Sequence, residues 1–141
     1  MHIAIAIDGS DHALKALDRA IGMAKDLKTT PSLSLVNVHL NALVSPVARG
    51  IDQKLVEAYM DEIADKELAS AKARVAEAGL SAAVVKAHGE IVPELLKFIK
   101  DQKVDLMVVG GKGRGSLVDL LLGSVAGRLA ETSPVPVLIV K

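Results

Sequence analysis

Five short apolar runs recur along the chain, each about as long as a β-strand. Apolar residues at consecutive positions are typical of strands that are buried on both faces of a parallel sheet. The predicted strands are Ile3–Ile7, the run of Leu33, Leu35, Val36 and Val38, and then Ala82–Ala87, Val104–Val109 and Val135–Val140.

Longer segments with apolar residues three and four positions apart lie between these runs and predict four helices. The first follows a turn in which Ser10 or Asp11 supplies the N-cap, and it ends near Leu27. The second ends near Gly79, a favourable C-cap residue. Its predicted apolar face consists of Leu55, Tyr59, Ile63, Leu68, Ala71 and Val75. The third helix carries Ile91, Leu95, Leu96 and Ile99, and the fourth spans Ser124–Thr132.

Strands that alternate with helices in this way predict an α/β fold, with one open parallel sheet and right-handed crossovers. Neither a linker nor an internal repeat divides the chain, so we expect one domain over residues 1–141. Pro134 and Pro136 open the last strand, and because proline cannot donate to a ladder, we expect that strand at a sheet edge.

Ligands of open parallel sheets bind beyond the carboxyl ends of the strands, where the strand order reverses. This rule predicts one crevice that is formed by the turn at Asp8, the end of the second strand near Val38 and the loop that starts at Gly110.

That loop, residues 110–125, reads GGKGRGSLVDLLLGSV and holds five glycines in sixteen residues. Glycine lets backbone N–H groups turn towards an anion, and the following helix adds its N-terminal N–H groups and dipole. Two standard phosphate loops do not fit, because Ser116 stands where a Walker A loop has lysine and where a Rossmann fingerprint has its third glycine.

The spacing that does fit is Gly-x2-Gly-x9-Gly-Ser, which resembles the ATP-binding branch of the universal stress protein family. The likeness extends to IAIAIDGSDHA at the start, LVNV, HGE and the block LLLGSVAGRLAETSPVPVLIV. It implies a five-stranded parallel sheet of order 3-2-1-4-5 with helices on both faces, in a Rossmann-like, adenine-nucleotide α-hydrolase-like arrangement.

The resemblance also implies roles for the glycine loop. Gly110 would lie by the ribose, while Gly113, Gly123, Ser124 and the Val125 amide would hold phosphates. These glycines have a plainer interpretation as turn residues, and Ser124 has one as a helix N-cap, a role compatible with phosphate contact.

Two further positions are implied at the nucleoside end. Asp8 would contact the ribose or a phosphate-bound divalent cation, although a turn aspartate often bonds its own backbone. The Val38 backbone N–H and C=O would receive adenine. Asn37 departs from the histidine found in many members. The implied ligand is therefore ATP, with or without Mg²⁺.

Other polar residues near the predicted crevice also have both a functional and a structural interpretation. Lys112 and Arg114 are solvated loop charges within reach of a phosphate. Ser10, beside the first helix, is likewise a candidate for a phosphate contact. His39 borders the predicted site, with a structural or surface role favoured. Asp8, Ser10 and His12 have the residue types of a hydrolase triad, but alternate residues on one turn do not form its hydrogen-bond chain.

Composition narrows the alternatives. The chain has zero formal net charge and only two aromatic residues of the Phe, Trp and Tyr class, so we expect no nucleic-acid partner. It has no cysteine, and its four histidines lack metal-ligand spacing, so we expect no protein-held metal. Without an apolar run of membrane-spanning length or a signal-type segment, we expect no membrane partner and a cytoplasmic location.

The resemblance implies a nucleotide-dependent switch in the stress response. The sequence shows no placed general base and no lysine clamp for a leaving phosphate, so we expect at most slow ATP hydrolysis. The family also implies a homodimer through the C-terminal strand at 137–140. Two alternatives remain open: an interaction module with a vestigial nucleotide site, and a slow ATPase or nucleotidyl-transfer enzyme.

Overall fold

The computed structural model describes residues 1–40, 50, 52–113 and 122–141. Within these residues, strands and helices alternate from end to end. The strands are β1 (His2–Ala6), β2 (Ser32–His39), β3 (Ala82–His88), β4 (Leu106–Gly110) and β5 (Val137–Val140). The helices are α1 (Asp11–Asp26), α2 (Gln53–Glu77), α3 (Ile91–Asp101) and α4 (Ser124–Thr132).

The strands form one parallel sheet of order β3-β2-β1-β4-β5, which confirms the predicted fold and places β5 at an edge. The central strand β1 pairs from His2–Ser32 to Ala6–Val36 with β2, and from Ile3–Leu106 to Ile5–Val108 with β4. The order therefore reverses between β1 and β4, as required for a ligand crevice at that point.

The helices cover the sheet on both faces, and each face has its own apolar core. Ile3 and Ile5 of β1 belong to a cluster with Leu17 of α1 and Leu68 of α2. Ala4 points the other way and belongs to a cluster with residues of α3 and α4. Since successive side chains of a strand alternate between faces, one short strand serves both cores.

The long helix α2 departs from its predicted apolar face. Its buried residues are Ala64, Leu68, Ala71 and Val75, whereas Leu55 and Tyr59 are about two-thirds exposed, at 65% and 64%. A helix of 25 residues is about 37 Å long, and an eight-residue strand such as β2 is about 26 Å long. The first turns of α2 therefore extend past the strand against which the helix packs.

Two strands begin later than the apolar runs predict. Val104 still donates its N–H to Ile99 O at the end of α3, and Lys103 has a φ of 51°, so β4 begins only at Leu106. Pro136 accepts a hydrogen bond from Met107 N but lacks an N–H of its own, and β5 begins at Val137.

Candidate functional site

A cleft of about 620 Å³, measured with its open part, lies at the carboxyl ends of β1, β2 and β4. The seven residues predicted for the site all line it: Asp8, Val38, Gly110, Gly113, Gly123, Ser124 and Val125. Segments as far apart in sequence as Asp8 and Ser124 thus meet where the strand order reverses. Residues 114–121 of the glycine loop, including Arg114, lie outside the described residues.

The floor of the cleft is apolar. Ala6, Val36 and Val109 come from the sheet, and Ile91 and Leu95 come from α3. None of these side chains carries a hydrogen-bonding group, so they offer a surface for a flat apolar ring but do not read its edge. Any reading of the edge at this end depends on the backbone.

Val38 supplies such a backbone. Within a strand, residues two apart direct their N–H and C=O to the same side. Val36 O accepts from Ile7 N on the β1 side, while His39 O accepts from Gly89 N on the β3 side. Val38 shares the parity of Val36, but the β1–β2 register ends at the Ala6–Val36 pair. Its N–H and C=O therefore face the cleft beyond the last rung, a donor and an acceptor side by side.

Asp8 belongs to a turn that also starts α1. Its Oδ1 accepts hydrogen bonds from Ser10 N at 2.9 Å and from Ser10 Oγ at 2.6 Å. Ser10 Oγ in turn accepts from Ala13 N at 3.2 Å, which confirms Ser10 as the N-cap of α1. The other oxygen, Oδ2, faces Gly113, where an added Cβ would lie 3.3 Å away. The turn interpretation of Asp8 is thus confirmed for one oxygen, and the second oxygen is directed towards the glycine loop.

Gly110 and Gly123 owe their lack of a side chain to close backbone contacts. A Cβ on Gly110 would lie 2.7 Å from His12 C and 2.9 Å from Ala13 N, in the first turn of α1. A Cβ on Gly123 would lie 3.1 Å from both Gly111 O and Lys112 Cα, and Gly123 N donates to Gly111 O at 2.7 Å. These glycines let α1, the glycine loop and α4 approach one another around the cleft.

The N-terminus of α4 opens into the same cleft. Its N-cap is Gly123, and no side chain caps the helix there, so the alternative that Ser124 is the N-cap is wrong. Ser124 and Val125 occupy the first turn, where backbone N–H groups lack intrahelical partners and the helix dipole is positive. Within the described part of the chain, no protein group bonds the Ser124 hydroxyl.

The other charged candidates fall in three places. Lys112 lines the cleft. Arg114 lies outside the described residues. His39 lies on the opposite face of the sheet, where Nε2 is 2.9 Å from Glu67 Oε2 of α2, so its role in the described structure is structural.

Sequence reasoning singled out Asn37 only as a departure from the family's histidine, and it missed both the contacts of the Asn37 amide and Glu67. Asn37 is 1% exposed, and its Nδ2 donates both to Ile7 O and to Glu67 Oε2, each at 2.8 Å. The indications in the sequence were that Asn37 is a polar residue near the end of a predicted strand and that it departs from the family's histidine.

Across the ranges described, no group of three or more His, Cys, Asp or Glu side chains is arranged to hold a metal ion. No helix there has the length and apolar character needed to span a bilayer. Two carboxyl groups with lowered pKa values lie on α2, away from the cleft. Lys66 lowers the pKa of Glu62, and Lys86 lowers the pKa of Asp65.

The sheet order and the covering helices define an open parallel α/β protein with a glycine-lined cleft where the strand order reverses. The profile of the Universal stress protein family matches residues 1–141, and the chain belongs to that family. It is 37% identical over 144 residues to Universal stress protein YxiE of Bacillus subtilis, covering 97% of this chain and 96% of that protein.

Solved structures agree on the fold. Universal stress protein UspA from Lactobacillus plantarum superposes with a TM-score of 0.83 at 19% identity, over 100% of this chain and 97% of that one. A crystal structure of a universal stress protein in complex with cAMP superposes with a TM-score of 0.68 at 28% identity, over 100% of this chain and 96% of that one.

Proposed function

We propose that this chain is an ATP-binding universal stress protein, a cytoplasmic switch whose state depends on the bound nucleotide, with or without Mg²⁺. The observation that carries the proposal is that one cleft holds the Val38 backbone donor and acceptor together with the glycine-flanked N-terminus of α4. The first matches a base edge, and the second matches an anion.

Each part of the nucleotide has a complementary group. Adenine presents a donor and an acceptor on its base-pairing edge, which the C=O and N–H of Val38 complement, and its ring lies on the apolar floor. Asp8 Oδ2 faces Gly113, another residue that lines the cleft, and there it meets a ribose hydroxyl or a cation bound to phosphate. The N–H groups at Ser124 and Val125 and the Ser124 hydroxyl bind phosphate oxygens.

A related structure supports the choice of an adenine nucleotide. The universal stress protein solved in complex with cAMP is 28% identical to this chain over its whole length. The base and ribose of cAMP are those of ATP, so the nucleoside half of the proposal agrees with that relative's ligand. We place the triphosphate here because the cleft runs on to the N-terminus of α4.

We further propose that hydrolysis, where it occurs, is slow. The charged side chains that line the cleft within the described residues are Asp8 and Lys112. Oδ1 of Asp8 already accepts two hydrogen bonds from Ser10, so this oxygen is engaged by the turn and is not placed to accept a proton from water. Turnover as fast as an ordinary kinase would contradict this part of the proposal.

The test starts with freshly purified, desalted protein, which is heat-denatured so that released nucleotide can be identified by chromatography and mass. The melting temperature is then measured with and without Mg-ATP, ADP, AMP and cAMP. We expect a rise that is largest with Mg-ATP, because a ligand that binds only the folded state stabilises it.

We expect Gly123→Val to lose nucleotide binding, because the valine side chain enters the space between Gly111 O and the N-terminus of α4. Gly127→Ala on the same helix is the control, since its Cβ would meet nothing nearer than Leu122 Cδ2 at 4.0 Å. If neither released nucleotide nor a ligand-induced rise appears in the parent chain, the nucleotide proposal fails and the interaction-module alternative takes its place.

A further inference from the structure

Glu67 lies on the opposite face of the sheet from the cleft and holds the residues on either side of Val38. Its Oε2 accepts from Asn37 Nδ2 at 2.8 Å and pairs with His39 Nε2 at 2.9 Å. The Glu67 side chain is 8% exposed and that of His39 is 10% exposed. A largely buried carboxylate on α2 therefore fixes the carboxyl end of β2 from behind.

The Asn37 side chain bonds to the residue that follows β1, at the point where the β1–β2 ladder ends. After the bond from Ile7 N to Val36 O, the next bond of a parallel ladder would run from Val38 N to Ile7 O. The Asn37 amide donates to Ile7 O instead, at 2.8 Å, and its second N–H goes to Glu67. The side chain thus takes the acceptor that would otherwise bind the Val38 N–H.

The same carboxylate side chain also supports the turn that carries Asp8. Gly9 has a φ of 78°, and a Cβ there would lie 3.0 Å from Glu67 Cγ. The turn after β1 therefore packs on the aliphatic part of Glu67, while the end of β2 is bonded to its carboxylate. Both segments that we propose to meet the nucleoside therefore contact the same residue of α2, Glu67.

We propose that Glu67 and Asn37 are positioning residues, which end the β1–β2 ladder at Val36 and so present the Val38 backbone to the base. This inference rests on the proposed function and makes the pair the origin of base selectivity. Neither side chain lines the cleft, so neither touches the ligand.

Base selectivity is measured as the ratio of dissociation constants for ITP and ATP by titration calorimetry. The two share ribose and phosphates, but at its base-pairing edge ITP has a carbonyl in place of the amino group and an N–H in place of the ring nitrogen. For the parent chain we expect ATP to bind more tightly by about tenfold, because ITP leaves the Val38 donor and acceptor unpaired.

Glu67→Met keeps the length of the side chain but removes the acceptor, and we expect the ratio to fall to about one to threefold. Glu67→Gln keeps an oxygen and should restore an intermediate ratio, which also serves if the Met variant fails to fold. Asn37→Leu releases Ile7 O to the Val38 N–H and should lower the ratio likewise. Glu62→Gln, exposed on the same helix and paired with Lys66, is the control and should keep the parent ratio.

The outcomes separate the two proposals. If the Glu67 and Asn37 variants weaken ATP and ITP by the same factor, or change neither, the positioning role is overturned while nucleotide binding stands. A parent chain that binds ATP and ITP equally also overturns it. A parent chain that binds neither overturns the proposed function and this role together.

Discussion

Gly110 belongs to the proposed binding motif, and its contacts give a second, structural reason for a glycine at this position. Its missing side chain makes room for the backbone of α1, with His12 C only 2.7 Å from where a Cβ would be. We expect Gly110→Ala to destabilise the protein by about 1–3 kcal/mol through overpacking, whatever its effect on ligand binding. Urea unfolding of the ligand-free protein measures this.

Gly22→Ala is the control for Gly110→Ala. Gly22 lies inside α1, and a Cβ there meets nothing within 4 Å. Alanine should stabilise the helix by about 0.5–1 kcal/mol relative to glycine. If Gly110→Ala were as stable as the parent, the close approach of α1 would not be the reason for that glycine.

The positions of the seven predicted residues around one cleft were predictable, because the residues lie in the glycine loop or at the end of a strand, whereas their ligand roles came from the family resemblance. Asn37 and Glu67 were not, because their contact joins positions 30 residues apart on different elements. Helical periodicity ranks Glu67 with the solvated charges of α2, since a charge on a helix is usually exposed. Only the packing of α2 on β2 shows that this one is buried.

The start of α1 depends on one hydroxyl. Ser10 Oγ accepts from Ala13 N and donates to Asp8 Oδ1, so it joins the helix to the turn that enters the cleft. We expect Ser10→Ala to lower the free energy of unfolding by about 1 kcal/mol, the usual effect of losing an N-cap. Ser81→Ala, at an exposed position before β3, should change it by less than about 0.5 kcal/mol. Equal values for the two variants would contradict the capping role.

The edge strand β3 is tied to α2 by an ion pair. Lys86 Nζ lies 2.9 Å from Asp65 Oδ2, and this contact lowers the pKa of Asp65, with Lys72 adding to it. A carboxylate with a lowered pKa stabilises the fold above its unfolded pKa, and the effect is lost as the pH falls through its folded value. Asp65→Asn should therefore lower the melting temperature slightly at pH 7 and by less at pH 3.

Salt provides the check on that prediction. Asp65 is exposed to solvent and Lys86 is half-buried, so the effect of the pair should shrink at about 1 M salt, where charges are screened within roughly 3 Å. Thermal melts of the parent chain and Asp65→Asn at two pH values and two salt concentrations measure it. A difference in melting temperature that is as large at pH 3 as at pH 7 would point to packing rather than charge.

The elements themselves were largely predictable, and their ends show where sequence patterns stop. The α4 prediction, Ser124–Thr132, matches the structure, because a glycine and a proline flank that helix closely in the chain. The predicted apolar face of α2 was wrong at Leu55 and Tyr59, which are exposed, because periodicity does not show how far a helix extends past its sheet. The strand order came from the family resemblance, as it depends on tertiary packing.

At the scale of the whole molecule, the sheet has two edges that differ in protection. β3 carries Lys86 near its middle, and a charge on an edge strand opposes pairing with another sheet. β5 reads VLIV, without a charged residue, and its side chains are half-buried. The apolar edge with free backbone groups is therefore β5, which is where the homodimer was predicted from the sequence.

We expect a dimer to form through β5, and Val137→Lys to shift the mass measured by light scattering towards the monomer, because burying a lysine at a two-fold interface leaves its charge unpaired. Val84→Lys is the matched control, since Val84 is a valine on the other edge strand and 40% exposed. It should leave the mass unchanged. Circular dichroism is the measurement that checks whether both variants are folded. If both lower the mass equally, or if Val137→Lys alone leaves it unchanged, the contact between subunits lies away from β5.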